Sequence, residues 1–222
     1  MSEPIMISHS LEPRRGLHST LSTKINGLNP PAPDCSFFAL YTLPPGVIID
    51  RYELMDRRLS FEFWGESDLE LPVFAVGQTN NSLLLLNATP TDSRSKEVLV
   101  DIPVHARYGV PGVGRRACQS LEIFPPTCFW ACSPTGMSTI SPAFSLEPPI
   151  VSSALLRDST HFLVSATSSH QSTLLEFPVA SLDDTSRVET GTVTIISAAF
   201  LWLVYRSWRV ARTLKSYHLK ER

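Results

Sequence analysis

Val98-Leu99-Val100-Asp101-Ile102-Pro103-Val104-His105-Ala106-Arg107-Tyr108 decides the fold class. Val98, Val100, Ile102, Val104, Ala106 and Tyr108 alternate with Leu99, Asp101, Pro103, His105 and Arg107. A period of two sends successive side chains to opposite faces of a strand. One face is apolar and the other mostly polar. The segment therefore reads as a half-buried strand, with His105 and Arg107 pointing outward.

The same pattern recurs on both sides. Leu59, Phe61 and Phe63 alternate with Ser60, Glu62 and Trp64, and Thr173, Leu175, Phe177 and Val179 repeat it. Short apolar runs at 36–43, 72–76, 83–86, 121–124 and 161–166 complete the set. Prolines stand in pairs at Pro30-Pro31, Pro44-Pro45, Pro125-Pro126 and Pro148-Pro149, where they break helices and bound extended segments. No stretch in this region carries a helical period with caps. Many short strands between turn signals predict an all-β, antiparallel sandwich over 17–180. Residues 1–16 read as a disordered leader.

The C-terminal end has a different character. Thr190 to Tyr205 is uncharged and mostly apolar, and Arg206, Arg209, Arg212 and Lys215 follow at once. An apolar stretch with a cationic flank reads as one transmembrane helix with a cytoplasmic tail. The expected boundaries are a polar linker at 181–189, a span at 190–207 and a basic tail at 208–222. The β domain then lies across the membrane from the tail. Met1 to Ser22 contains Glu3, Glu12, Arg14 and Arg15 and no apolar h-region, so it does not read as a secretory signal peptide.

Composition narrows the function classes. The 222-residue chain has a net charge of −2, with cations concentrated in the tail. No basic stripe or motif suggests a nucleic-acid partner. The four cysteines, Cys35, Cys118, Cys128 and Cys132, fit disulfides in an oxidising compartment, with the pairing open. Cys128-x3-Cys132 lacks a second ligand pair, so paired or buried thiols are favoured over zinc. Asn80-Asn81-Ser82 and Asn87-Ala88-Thr89 are N-glycosylation sequons, with Asn80 and Asn87 as acceptors.

Catalytic signals are sparse. There is no GxSxG, HExxH, P-loop or GxGxxG, and no DxD pair. His105, Arg107 and Tyr108 gather polar groups, but no partner carboxylate or nucleophile is identifiable from spacing. Asp50-Arg51-Tyr52-Glu53 follows a Pro44-Pro45-Gly46 turn and reads as turn capping and surface pairing. No cofactor and no catalytic residue are expected.

Three segments resemble the PIG-X family. Leu43-Pro44-Pro45-Gly46-Val47-Ile48-Ile49-Asp50-Arg51-Tyr52-Glu53-Leu54 is similar to its "PPG…DxYEL" segment. Val104 to Pro111 resembles its "HxRY…P" strand, and Leu121 to Cys132 its "PP…F..C" segment. Leu17-His18-Ser19-Thr20-Leu21 resembles the "HPTL" of fungal members, with Ser19 where proline is usual. The resemblance runs from about residue 17 to about residue 210. It implies a non-enzymatic subunit of the endoplasmic reticulum glycosylphosphatidylinositol (GPI) mannosyltransferase I, which adds the first mannose during GPI-anchor biosynthesis. Its implied partner is a multi-span catalytic subunit.

On that reading Pro44, Pro45, Gly46, Asp50, Tyr52, His105, Arg107 and Tyr108 are the expected partner-binding residues. Pro fixes φ and Gly permits positive φ, which suits a rigid turn. Tyr52 offers an apolar ring with a polar tip, fit for an interface or for its own core. The competing expectation is a single-span adhesion or receptor-type sandwich at the cell surface.

Overall fold

The computed structural model describes residues 5–68, 70–71, 75, 81–90, 95–114, 117–133, 146, 149–156, 161–164 and 172–220, without the side chains of 161–164 and 214–220. Eleven strands are present among them. They are β1 (Met6–Glu12), β2 (His18–Asn26), β3 (Cys35–Leu43), β4 (Val47–Ile48), β5 (Phe61–Trp64), β6 (Ser82–Asn87), β7 (Glu97–Ala106), β8 (Cys118–Ile123), β9 (Thr127–Cys132), β10 (His161–Val164) and β11 (Thr173–Pro178). Helix α1 spans Arg51–Asp56 and α2 spans Thr185–Lys220.

All strand pairs are antiparallel. One sheet has the order β1-β2-β7-β4, a second β10-β9-β3-β6-β5, and β11 pairs with β8. The fold class is the antiparallel β architecture expected from the alternation. The main core draws Leu11, Leu21, Ile25, Ile102 and Val104 from the first sheet and Phe37, Tyr41, Leu84 and Trp130 from the second. Each such side chain contributes roughly 1.5–3 kcal/mol when fully buried. β3 is buried on both faces. Phe38 and Leu40 join Leu85, Phe129, Ile150 and Leu156 in a second, smaller core. Two 3-10 turns, Ile150–Ser152 and Ala154–Leu156, supply that layer, and Glu62 Oε1 accepts the backbone N–H of Ala154 at 2.7 Å.

Cys35 and Cys132 face one another across β3 and β9 and form a disulfide. Cys118 is an exposed free thiol and Cys128 a buried one. Burial pushes the Cys128 thiol up to about 12.

Several sequence expectations need correction. Residues 6–12, placed in the disordered leader, form β1, because Ile7 and Leu11 alternate inward and pair along the length of β2. The helix-free expectation for 17–180 misses α1. Asp50 caps that helix, its carboxylate accepting the Tyr52 N–H at 2.8 Å. The C-terminal end of α1 closes as a Schellman motif: Arg58 N–H donates to Met55 O and Leu59 N–H to Leu54 O. Arg58 takes the left-handed position with φ 57°. The run expected at 72–76 lies almost wholly outside the described residues.

The polar linker expected at 181–189 is largely helical. Ser181 opens a 3-10 turn at Leu182–Asp184, and α2 continues from Thr185 as one helix through the expected span and into the tail as far as Lys220. Gly112 pairs with Ser181, and Asp183 accepts the Gly114 N–H at 3.1 Å. Together with 111–117, residues 180–222 form a compact unit separate from the β domain. The stretch Leu182–Thr213 is long and apolar enough to cross a membrane, and none of its most apolar window is buried.

Candidate functional site

Three of the sequence segments singled out above converge on α1. Glu53 lies on that helix, His105 near the end of β7, and His18 opposite His105 on β2. His105 Nε2 lies 2.9 Å from Glu53 Oε2, and His105 Nδ1 lies 2.6 Å from His18 Nδ1. The imidazoles meet edge to face, with centroids 4.8 Å apart. Neutral imidazole has one donor and one acceptor nitrogen. Glu53 accepts from His105 Nε2–H, and His105 Nδ1 and His18 Nδ1 share one hydrogen bond whose donor is set by the tautomers of the two rings. The chain Glu53–His105–His18 thus ties α1, β7 and β2 together. The partner carboxylate that spacing alone did not reveal for His105 is Glu53. His18 was not among the expected site residues, although it sits in the Leu17–Leu21 motif.

Arg107 corrects the outward-facing expectation. β7 ends at Ala106, so the alternation does not extend to residue 107. Arg107 N–H instead donates to Gly46 O at 2.8 Å, and the side chain is 1% exposed. Its guanidinium donates to the carbonyls of Asp68 at 2.5 Å, Leu71 at 2.8 Å and Glu66 at 3.1 Å. Burial lowers its pKa, and the charges of Glu66 and Asp68 act in the opposite direction. The loop it holds starts at Gly65, whose φ is 137° and where a Cβ would meet Ser82 Cα at 2.9 Å. Arg107 is therefore a strut for the domain.

The Pro44-Pro45-Gly46 turn also serves packing. Val47 N–H donates to Pro44 O at 2.9 Å. Gly46 does not adopt positive φ. A Cβ there would lie 2.6 Å from Leu121 Cδ1, the tip of a side chain that would have to shift to admit it. The surface is formed by other residues of the expected set. Tyr52 is 81% exposed and Tyr108 72% exposed.

Two clefts flank α1. One, of about 580 Å³, is lined by Asp50, Arg51, Tyr52, Met55, Asp68 and Glu70 among others. The other, of about 510 Å³, is lined by Arg51, Met55, Leu59, Phe61, Phe63 and Trp64 among others. The Arg51 guanidinium sits 5.1 Å from the Phe63 ring centroid, and Leu54 is fully buried beneath. The helix is thus fixed on its inner side and bare on its outer side. Chemically, the arrangement offers an aromatic, thioether and carboxylate surface suited to binding.

The sequons differ in what is described. Asn80 lies outside the described residues. Asn87 is half-buried at the end of β6, its Oδ1 accepting the Thr89 N–H at 3.0 Å. The Thr89 hydroxyl accepts the Phe37 N–H at 2.8 Å.

These features define a class: an antiparallel β domain sharing a chain with one helix able to cross a membrane, with motif residues from β2, β7 and a short surface helix meeting in the Glu53–His105–His18 chain. The model of the PIG-X / PBN1 family matches residues 14–208, and the chain belongs to that family. It is 28% identical to protein PBN1 of Gibberella zeae over 204 residues, 86% of this chain and 41% of that protein. It is 28% identical to pbn1 of Emericella nidulans over 242 residues, 96% and 46% of the two chains. It is 30% identical to pbn1 of Schizosaccharomyces pombe over 127 residues, 53% and 38%. The chain spans less than half the length of these curated relatives. The family is one of GPI-anchor biosynthesis at the endoplasmic reticulum.

Proposed function

We propose that this chain is a non-catalytic subunit that stabilises the multi-span catalytic subunit of GPI mannosyltransferase I in the endoplasmic reticulum membrane. Family membership over residues 14–208 is the observation that carries this reading. The β domain lies in the lumen, α2 crosses the membrane, and the Arg206–Lys215 end stays in the cytosol by the positive-inside rule. The outer side of α1 docks the partner, with Tyr52 as anchor and Met55 beside it. Tyr52 supports this role because its large ring is 81% exposed on a helix whose backbone is already pinned, so docking orders little backbone.

A subunit that binds only the folded partner raises its amount by mass action. The test is microsomal mannose transfer from dolichol-phosphate mannose after deletion of this protein, normalised to partner protein. A stabiliser leaves activity per partner molecule near normal while the partner's amount falls. A full amount of wholly inactive partner overturns pure stabilisation.

A further inference from the structure

A third cleft lies away from α1, where β1 meets β11. It measures about 510 Å³ and is lined by Ser8, His9, Arg14, Arg15, Ser172, Thr173, Leu174 and Glu176. Backbone contacts fix its rim: Glu176 N–H donates to Arg14 O at 2.9 Å and Gly16 N–H to Glu176 O at 2.8 Å. Arg15 Nε pairs with Glu176 Oε2 at 2.8 Å, whereas Arg14 has no ion-pair partner among the described residues. His9 Nε2 is sealed from solvent without a hydrogen-bond partner. Burial lowers the His9 pKa, which favours a neutral ring. Glu122 stands beside the cleft and accepts the Ser172 hydroxyl, so the unmatched positive charge is local to Arg14.

We propose that this cleft binds a phosphodiester anion, with Arg14 as its principal charge contact. Guanidinium forks match phosphate oxygens bidentately, and the Ser8 hydroxyl adds a donor from another side. A diester carries one negative charge, which the Arg14 guanidinium, unpaired among the described residues, matches. A phosphate monoester carries about −1.5 to −2 at neutral pH and fits that balance less well. The volume falls in the range of small-molecule sites and exceeds what a carboxylate group alone would fill. Glu176 competes with the anion for Arg15, so the native pair restrains affinity. This inference is independent of docking at α1.

The experiment uses the full chain in a neutral detergent, with ³¹P line broadening of dimethyl phosphate as readout. Inorganic phosphate and acetate serve as competitors. Saturable binding of dimethyl phosphate, displaced poorly by acetate, is expected. Arg14→Gln should weaken it at least tenfold, and Glu176→Gln should tighten it several-fold. A folding defect cannot produce that gain. Micelles doped with phosphatidylglycerol, compared with phosphatidylcholine, identify the source. Competition by the former assigns a lipid headgroup; its absence assigns a soluble diester. No saturable binding, equal binding by Arg14→Gln, or equal displacement by acetate overturns the site.

Discussion

His18 and His105 stand opposite one another on neighbouring strands with their Nδ1 atoms 2.6 Å apart, so only one of the two facing nitrogens carries a proton. The other side of His105 is held by Glu53 at 2.9 Å. Glu53 is partly exposed, which limits the energy of the pair. His105→Ala should cost about 1 kcal/mol in urea unfolding. A double-mutant cycle with Glu53→Ala should return a coupling of about 0.5 kcal/mol or more. Strict additivity would show that the contact does not hold α1.

Arg107 gives a larger effect of a different kind. Its removal strands three carbonyls that it binds under the 66–71 loop. Arg107→Ala should destabilise the domain by about 3 kcal/mol or more. Arg107→Lys should recover only part, because an ammonium lacks the planar fork. Thermal unfolding checks this. A normally stable Arg107→Ala domain that fails only in partner binding would return Arg107 to the interface.

Arg58 occupies a position that favours glycine. With φ 57° at the end of α1, it carries a left-handed strain of about 1 kcal/mol. Arg58→Gly should stabilise the domain by about that amount, and Arg58→Pro should destabilise it. Denaturation midpoints measure both. A loss of stability in Arg58→Gly would mean that the arginine side chain contributes more than its backbone costs.

The cysteines divide by chemistry. The Cys35–Cys132 bridge joins residues 97 apart in sequence. Its removal by paired Ala substitutions should cost about 3–5 kcal/mol through a freer unfolded chain. In the native protein a maleimide should label Cys118 at once. Cys128 should react only on unfolding, since its thiol is buried and pushed up to about 12. Rapid native labelling of Cys128 would contradict its placement in the core.

Strand alternation made much of the sandwich legible, as in Val98 to Ala106. It failed where polar residues point inward. In β2 the inward face is Ser19, Leu21, Thr23 and Ile25, so the apolar signal is halved. It also misled at Arg107, because extending the period past Ala106 ignored where the ladder ends. The site was harder to read. His18 and His105 are 87 residues apart, and only the β2–β7 register brings them together. Asp50 could be read as a cap, but six residues of helix are too few to show a period.

Docking through the outer side of α1 is the central claim, and Tyr52 is its sharpest probe. The Tyr52 ring makes little packing contact within its own domain, so Tyr52→Ala should leave the unfolding midpoint within about 0.5 kcal/mol of wild type. A buried aromatic anchor at an interface contributes about 2 kcal/mol or more. The direct measurement is the amount of mannosyltransferase catalytic subunit co-purified per molecule of this protein from detergent-solubilised membranes. The account predicts at least a tenfold loss for Tyr52→Ala with the β domain intact. Undiminished co-purification by Tyr52→Ala and by Tyr52→Ala/Met55→Ala would contradict it.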